Sequence, residues 1–431
     1  MKEISHMQRE IYNMLLEWKR NRSHRPLLLT GAPMVGKTYI IKEFGKNEYV
    51  KLARFSFLDQ PILKSIFRNQ PEVTKVLRML STLFRKDIVP GETLLILDDI
   101  QYCPDAVELL SDFSEAAPTL DLIACGSFCE GDGAYEKIPF AQLDHLSLHP
   151  MNFTEFLLAM DQKYLAELLL KRQWDSIRAL SSTFEDYLRQ YCFCGGMPSV
   201  VCAFAENRDT GPYAVRQMQA HILQAIEANL SGRQKELWDA VHSRMVKDNH
   251  KFMFADIKKA ARQKDYMPAV RQLIQKGLLF RTNKVSTVSQ PLDYYMDEDS
   301  FVLYPLDSGL LGAKLALEPE EMLLGRAALD GNNDAFPRQL ISQKLRALDL
   351  PVYHYSKTGS LVTMDYIIQT ASRIVAVEVN SIPNGNSKAL KTFMAGNPGR
   401  QGIRASLEAH SSSPWMENIP LYAMETFLDS L

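Results

Sequence analysis

A glycine-rich segment between a buried strand and a helix restricts the fold of this chain more than any other feature. Residues 26–30 (PLLLT) form an apolar run typical of a buried parallel strand, and residues 31–38 fit the pattern GxxxxGK[ST]. Residues 39–44 continue with helical spacing. This order predicts a P-loop in an α/β fold whose sheet is parallel.

The residue types in the loop suit a triphosphate. Glycines let the backbone approach phosphate oxygens, and the amides of the loop and the helix N-terminus point at the negative charge. Lys37 can reach the β- and γ-phosphates, and Thr38 can ligate Mg²⁺. We predict that ATP and Mg²⁺ bind to Gly31, Ala32, Pro33, Met34, Val35, Gly36, Lys37 and Thr38.

A glycine turn before a helix also occurs without nucleotide, so further signals are needed. Residues 93–97 (TLLIL) form an apolar run that ends at Asp98 and Asp99, as in a Walker B strand. We predict that Asp98 holds the magnesium shell and that Asp99 orients or deprotonates the attacking water. The alternative is that both carboxylates are a solvated strand end.

A third apolar run, residues 122–125, ends at Gly126 and Ser127. We predict that Ser127 contacts the γ-phosphate from a neighbouring strand. The base is predicted to be adenine, because the nearest match to the guanine-specifying pattern NKxD, residues 283–286 (NKVS), lacks the aspartate.

Several segments together are more specific than a lone P-loop. They are GAPMVGKTYIIKEFG (31–45), GETLLILDDIQYCPDAVELL (91–110), LIACGS (122–127), LSLHPMNFTEFLLA (146–159), CGGMPSVV (194–201), SFVLYPLDSGLLG (300–312) and NIPLYAMETFL (418–428). On these segments the chain resembles a family of prokaryotic AAA-type ATP-binding proteins with a C-terminal domain of unknown function.

The resemblance implies a P-loop NTPase parallel sheet with a helical lid, then a winged helix and an α/β domain with a restriction-endonuclease-like core. The domains expected from it are an AAA-type ATPase domain over 1–150, the lid over 151–230, the winged helix over 231–320 and the nuclease-like domain over 321–431.

Departures from the family pattern bear on hydrolysis. The family commonly has an arginine at Pro33, a glutamate at Asp99 and a Gly-Arg or Gly-Lys pair at residues 141–142, which are Ala-Gln here. Aspartate is one methylene shorter than glutamate, and glutamine cannot replace an arginine finger. The expectation is therefore ATP binding with slow hydrolysis, and the alternative is an ATP-dependent switch or scaffold without hydrolysis.

Two predicted modules follow the lid. In residues 231–320, helices over 237–246, 255–261 and 267–276 and strands over 278–281 and 301–304 suggest a winged helix. The segment 251–284 is locally basic, which predicts DNA contact through phosphates; a protein partner is the equal alternative.

The C-terminal segment is expected to carry a degenerate nuclease site. A nuclease of the restriction type needs an aspartate on one strand and Glu-x-Lys on the next, so that two acids hold Mg²⁺ and the lysine activates water. Asp365 and Glu378 fit this pattern, but the lysine position is Asn380. By the resemblance, Arg338 and Thr363 also replace glutamates, so nuclease activity is not expected.

Composition adds limits on partners and location. The formal net charge of −2 gives no global bias toward nucleic acid, and no apolar stretch is long enough to span a membrane. The six cysteines lack the paired spacing of a zinc site and sit mostly in apolar runs. We therefore expect a cytoplasmic protein with reduced thiols and no membrane partner.

Overall fold

The computed structural model describes residues 9–21, 24–206, 211–247, 251–325, 328–329, 331–357, 362–381 and 387–431. The chain divides into two compact units. Of the described residues, the P-loop unit comprises 9–149 and Arg271–Leu278, and the second unit comprises those within Pro150–Val270 and Leu279–Leu431.

The P-loop unit is built on a five-stranded sheet in the order β2-β3-β4-β1-β5, and every pair of neighbouring strands is parallel. This confirms the predicted parallel-sheet P-loop fold. Its helices are α1 (Glu10–Arg20), α2 (Lys37–Glu48), α3 (Leu63–Phe67), α4 (Val73–Phe84), α5 (Pro104–Glu108) and α6 (Leu110–Ala116), and its strands are β1 (Leu27–Gly31), β2 (Lys51–Ser56), β3 (Thr93–Asp98), β4 (Leu122–Gly126) and β5 (Asp144–Leu148).

Burial explains why these segments are strands. All residues of β3 and β4 are buried, as expected for central strands of a parallel sheet that is covered on both faces. Because parallel strands end at the same edge, the residues that follow β1, β3 and β4 meet there. That edge carries the predicted phosphate loop and the predicted carboxylates.

The second unit contains the remaining helices. They are α7 (Phe153–Ala159), α8 (Lys163–Leu170), α9 (Trp174–Ala179), α10 (Ser181–Cys194), α11 (Pro198–Glu206), α12 (Pro212–Glu227), α13 (Gly232–Met245), α14 (Gln263–Gln275, whose last residues belong to the P-loop unit), α15 (Ser308–Lys314), α16 (Pro319–Leu323), α17 (Ala335–Ala347), α18 (Lys388–Gly396) and α19 (Met424–Leu428).

An eight-stranded mixed sheet runs through the second unit in the order β12-β13-β11-β10-β9-β8-β6-β7. The parallel pair of β6 and β8 joins strands predicted for 231–320 to strands predicted for 321–431. One sheet thus contains strands from both predicted domains, so the sheet does not mark a boundary at 320. The boundaries at 230 and 320 stay predictions. The strands are β6 (Leu279–Val285), β7 (Met296–Pro305), β8 (Val352–Ser356), β9 (Thr363–Gln369), β10 (Ile374–Val379), β11 (Gln401–Ser406), β12 (Ser411–Ser412) and β13 (Glu417–Pro420).

One predicted helix is wrong. The segment 255–261 contains no α-helix, and its helical part is a short 3-10 helix over Phe254–Asp256. Phe254 packs edge-on against Phe301 of β7, with the ring centroids 6.1 Å apart, and Asp256 forms an ion pair of 3.1 Å with Arg244. These contacts fix both ends of the turn against neighbouring elements, so local helical propensity does not decide its conformation.

The turn after α10 is set by a buried carboxylate. Gly195 has a φ of 76°, and a Cβ at this position would clash with the Asp307 side chain. Asp307 accepts the N–H of Gly196 at 2.6 Å and the N–H of Leu310 at 3.0 Å, which caps α15. The glycine pair therefore has a packing role.

Candidate nucleotide-binding site

Two glycines give the loop after β1 its shape. A Cβ at Gly31 would clash with the carbonyl oxygen of Leu148 on β5. Gly36 has a φ of 95° and precedes the first residue of α2. The loop thus passes close to β5 and then turns sharply into the helix, which directs the first amides of α2 to the inside of the loop.

Lys37 is the cation at the centre of this loop. Its Nζ donates to the carbonyl oxygens of Gly31 at 3.0 Å and Ala32 at 2.9 Å, and to Oγ of Ser127 at 3.0 Å. Burial lowers the pKa of Lys37, and the charges of Cys125, Asp99 and Asp98 oppose that shift. A buried ammonium among neutral acceptors suits a ligand that brings negative charge.

Ser127 lies beside Lys37, as its position after β4 suggested. Its hydroxyl accepts from Lys37 and donates to the carbonyl of Gly31 at 2.7 Å. The structure therefore brings the end of β4 and the phosphate loop within hydrogen-bond distance of each other. Contact of Ser127 with a γ-phosphate remains a prediction.

The two predicted metal ligands, Thr38 and Asp98, are hydrogen-bonded to each other. Thr38 donates from Oγ1 to Oδ1 of Asp98 at 3.1 Å, and only 1% of the Asp98 side chain is exposed. A hydroxyl beside a carboxylate is a donor set of hard oxygens, which is the kind that Mg²⁺ prefers. These residues therefore fit the metal that the fold implies. Among the described residues, no group of three or more histidine, cysteine or acidic side chains could hold a metal by itself.

Asp99 follows β3 in a left-handed conformation, with a φ of 58°. Oδ2 of Asp99 accepts a hydrogen bond from the hydroxyl of Ser56 at 3.2 Å. Burial and then the charge of Asp98 raise the pKa of Asp99. A raised pKa makes a carboxylate a better proton acceptor near neutral pH, but the bond to Ser56 holds it toward β2.

Sequence reasoning missed Arg54 on β2. Its Nε and Nη2 lie 2.7 and 2.6 Å from Oδ2 of Asp98. The available signal was an arginine between the apolar residues Ala53 and Phe55 of a strand, since a charge in that setting needs a partner.

Arg9 was also missed. Its guanidinium donates to the carbonyl of His149 after β5 at 2.7 Å and to the carbonyl of Val35 in the phosphate loop at 3.4 Å. Only 7% of Arg9 is exposed. This side chain links the loop to the edge strand from a position before α1, where no motif marks it.

The predicted nuclease residues meet in the second unit. Val377 of β10 pairs with Tyr366 of β9, so Glu378 and Asp365 lie next to each other on adjoining strands. Arg338 of α17 donates from Nε to Asp365 Oδ1 at 2.6 Å, and Asp365 Oδ2 accepts the N–H of Val379 at 2.7 Å. Both Asp365 oxygens are therefore engaged by the chain itself, and with Asn380 at the lysine position the group lacks the side chain that would activate water.

Part of the predicted basic patch is neutralised by acids outside it in sequence. Lys258 forms an ion pair of 3.2 Å with Glu236, and Arg271 one of 3.2 Å with Glu130. Within the described part of the chain, exposed cations without an ion pair remain at Lys259, Arg262 and Lys264.

Among the described helices, none is both long and apolar enough to cross a membrane.

Two family models match the chain. Residues 23–157 match a model described as an AAA domain, and residues 185–321 match a domain of unknown function, DUF8612. No curated protein matches the chain. The AAA match covers the phosphate loop, Asp98 and Asp99 at the end of β3, and Ser127.

Solved structures that resemble the chain are distant. A Walker-type ATPase of Pyrococcus abyssi is 13% identical with a TM-score of 0.47, over 72% of this chain and 96% of that one. The Aeropyrum pernix ORC1 protein in complex with DNA is 12% identical with a TM-score of 0.31, over 72% and 91%. The Thermotoga maritima RuvB Holliday junction branch migration motor is 13% identical with a TM-score of 0.30, over 64% and 90%.

At these TM-scores the likenesses to solved structures carry no argument about this chain. The assignment of the domain rests on the family model and on the parallel sheet with its phosphate loop. Residues 23–157 therefore form an AAA-type domain with the P-loop NTPase fold.

Proposed function

We propose that this chain binds Mg-ATP at the phosphate loop and hydrolyses it slowly. The observation that carries the proposal is the convergence of three strand ends: Lys37 bonds to Ser127, and Thr38 bonds to Asp98. These pairs bring together the residue types that a triphosphate and its metal require. The AAA domain match supports the nucleotide class.

Each residue has a distinct expected role. Lys37 would exchange its bonds to the loop carbonyls for bonds to phosphate oxygens, and the first amides of α2 would donate to the same group. Thr38 and Asp98 would hold Mg²⁺, which neutralises charge on the β- and γ-phosphates when bound. Asp99 would accept the proton of the attacking water, and Ser127 would contact the γ-phosphate.

Slow turnover follows from what surrounds Asp99. Oδ2 of its short side chain already accepts from Ser56, and this bond holds the carboxylate toward β2, away from the reach that a glutamate would have. The pair at 141–142 supplies no guanidinium, and such a group can contribute roughly three to five decades in rate. The bond to Ser56 also favours the second candidate, an ATP-dependent switch that does not hydrolyse.

Phosphate release by the full chain separates these candidates. We expect turnover that disappears in Lys37→Ala and persists in Lys46→Ala, a matched loss of charge at an exposed position of the same helix. Running both with and without double-stranded DNA tests whether nucleic acid stimulates the reaction. Tight ATP binding with no phosphate release under either condition would assign the switch instead.

DNA remains the proposed macromolecular partner, through segment 251–284. The support is the exposed trio of cations, Lys259, Arg262 and Lys264. The ion pairs of Lys258 and Arg271 reduce the charge available there. A protein partner for the same segment is the alternative outcome of a DNA-binding experiment.

A further inference from the structure

Both oxygens of the buried Asp98 carboxylate are occupied by groups of the chain. Oδ1 accepts from Thr38 at 3.1 Å and from the thiol of Cys125 at 2.7 Å. Oδ2 accepts from Nε and Nη2 of Arg54 at 2.7 and 2.6 Å. A divalent cation that draws on Asp98 must therefore share Oδ1 with two donors or compete with a guanidinium for Oδ2.

Strand pairing fixes where Arg54 stands. It lies on β2, which runs parallel to β3 with Ser56 opposite Asp98. The Arg54 backbone is thus held by the sheet, and its side chain reaches along the strand pair to the carboxylate. Only 25% of the Arg54 side chain is exposed, so water screens this pair weakly.

The charges around the loop show what Arg54 changes. Two cations, Lys37 and Arg54, face the carboxylates Asp98 and Asp99, and Arg54 also forms a longer ion pair of 3.6 Å with the exposed Asp59. Without Arg54, the same site would carry an excess of negative charge, which attracts a divalent cation and repels a triphosphate that lacks one. With Arg54, the attraction for the cation falls and the repulsion of the phosphates is relieved.

We propose that Arg54 is a resident counter-ion that competes with Mg²⁺ for Asp98, so that this chain binds nucleoside triphosphate with little dependence on divalent cation. The inference rests on the proposed ATP site but goes beyond it. It assigns to Arg54 the charge compensation that the metal would otherwise supply alone.

The test is equilibrium binding of ATP to the full chain in Mg²⁺ and in EDTA. We expect the wild-type dissociation constants to agree within about threefold, because Arg54 remains in place in both conditions. In Arg54→Gln, removal of Mg²⁺ should weaken ATP binding by about tenfold or more, because no guanidinium then pairs with Asp98. Arg54→Lys, which keeps the charge, should lie closer to the wild type.

A second readout needs no nucleotide. Mg²⁺ alone should leave the melting temperature of the wild type unchanged, whereas it should raise that of Arg54→Gln by binding the Asp98 carboxylate that Arg54 no longer holds. The wild-type comparison remains decisive even if Arg54→Gln does not fold.

The outcomes separate this inference from the proposed function. ATP binding to the wild type that falls tenfold or more in EDTA overturns the role of Arg54 and leaves the ATP site standing. A rise in the melting temperature of the wild type with Mg²⁺ alone also overturns the role of Arg54 and leaves the ATP site standing. Absence of ATP binding in both conditions overturns the inference and the proposed function together.

Discussion

Individual buried charges in this protein are matched by donors from distant parts of the sequence. Asp98 is paired with Arg54, and Asp365 is paired with Arg338. Asp307 instead accepts backbone N–H groups of Gly196 and Leu310. Because an unpaired buried charge costs several kcal/mol, these contacts hold the strand ends and helix ends where the candidate sites lie.

The carboxylate of Asp307 should make stability depend on pH. Burial raises its pKa to about 6, against the opposing effect of the backbone hydrogen bonds. Because the folded pKa lies above the unfolded one, the stabilising contribution is full below about pH 4 and is lost as the pH rises through about 6. The loss should be on the order of 3 kcal/mol.

Urea unfolding of the wild type and Asp307→Asn across pH 4 to 7 measures this contribution. Asn keeps the size of the side chain but does not titrate, so the variant should lack that part of the pH dependence, and its deficit relative to the wild type should shrink as the pH rises through about 6. Equal pH dependence in the two proteins would show that Asp307 does not titrate in this range.

Arg338 gives a second prediction at this scale. Burial and then the charge of Asp365 act in opposite directions on its guanidinium, and Asp365 prevails, which raises the pKa of Arg338. Arg338→Gln should destabilise the protein by about 3 to 5 kcal/mol, because Asp365 keeps its burial and loses its cation. Arg373→Gln, at an exposed position, is the control. Denaturation midpoints of the two variants that coincide would contradict a buried pair.

The same arginine bears on nuclease activity. Asn380→Lys restores the residue type that a restriction-type site uses, but Arg338 still occupies Asp365. We expect no metal-dependent nicking from this variant or from the wild type. Nicking by the unmodified chain would overturn the assignment of a degenerate site.

At the scale of elements, periodicity and motif order predicted the P-loop unit well. The strands β1, β3 and β4 and the helix α2 lie where apolar runs and the glycine pattern placed them, because a buried parallel strand depends mainly on local composition. The contact between Arg54 and Asp98 could not be predicted, since it depends on which strand lies beside β3.

Tertiary packing also decided the elements that were missed. The predicted helix over 255–261 is absent because Phe254 and Asp256 are held by β7 and α13. The pairing of β6 with β8 joins segments far apart in sequence, and no local pattern marks it. Likewise, the acids that neutralise Lys258 and Arg271 lie outside the basic segment.

The basic segment therefore offers fewer cations for DNA contact than its composition suggested. Replacing Lys259, Arg262 and Lys264 together by Gln should reduce the slope of log binding constant for DNA against log salt by about 2 to 3. The matched control replaces Lys46, Lys75 and Lys86, which removes the same charge from the P-loop unit. Equal loss of DNA binding in both triple variants would show a general charge effect and no site.

At the scale of the whole molecule, a P-loop unit is combined with a second unit that carries a mixed sheet and the match to a domain of unknown function. The formal net charge of −2 favours neither a nucleic acid nor an acidic partner for the chain as a whole. Nucleotide binding is the property on which the proposed hydrolysis and the proposed role of Arg54 both depend.

Equilibrium ATP binding to the full chain in Mg²⁺ tests that property most directly. At a ligand concentration of about 100 times the dissociation constant, ATP should stabilise the wild type by about 2.7 kcal/mol. Lys46→Ala should behave like the wild type, and Lys37→Ala should lose both binding and stabilisation, because it lacks the buried ammonium of the loop. ATP binding that is unchanged in Lys37→Ala, or absent from the wild type, would contradict the assignment of this site.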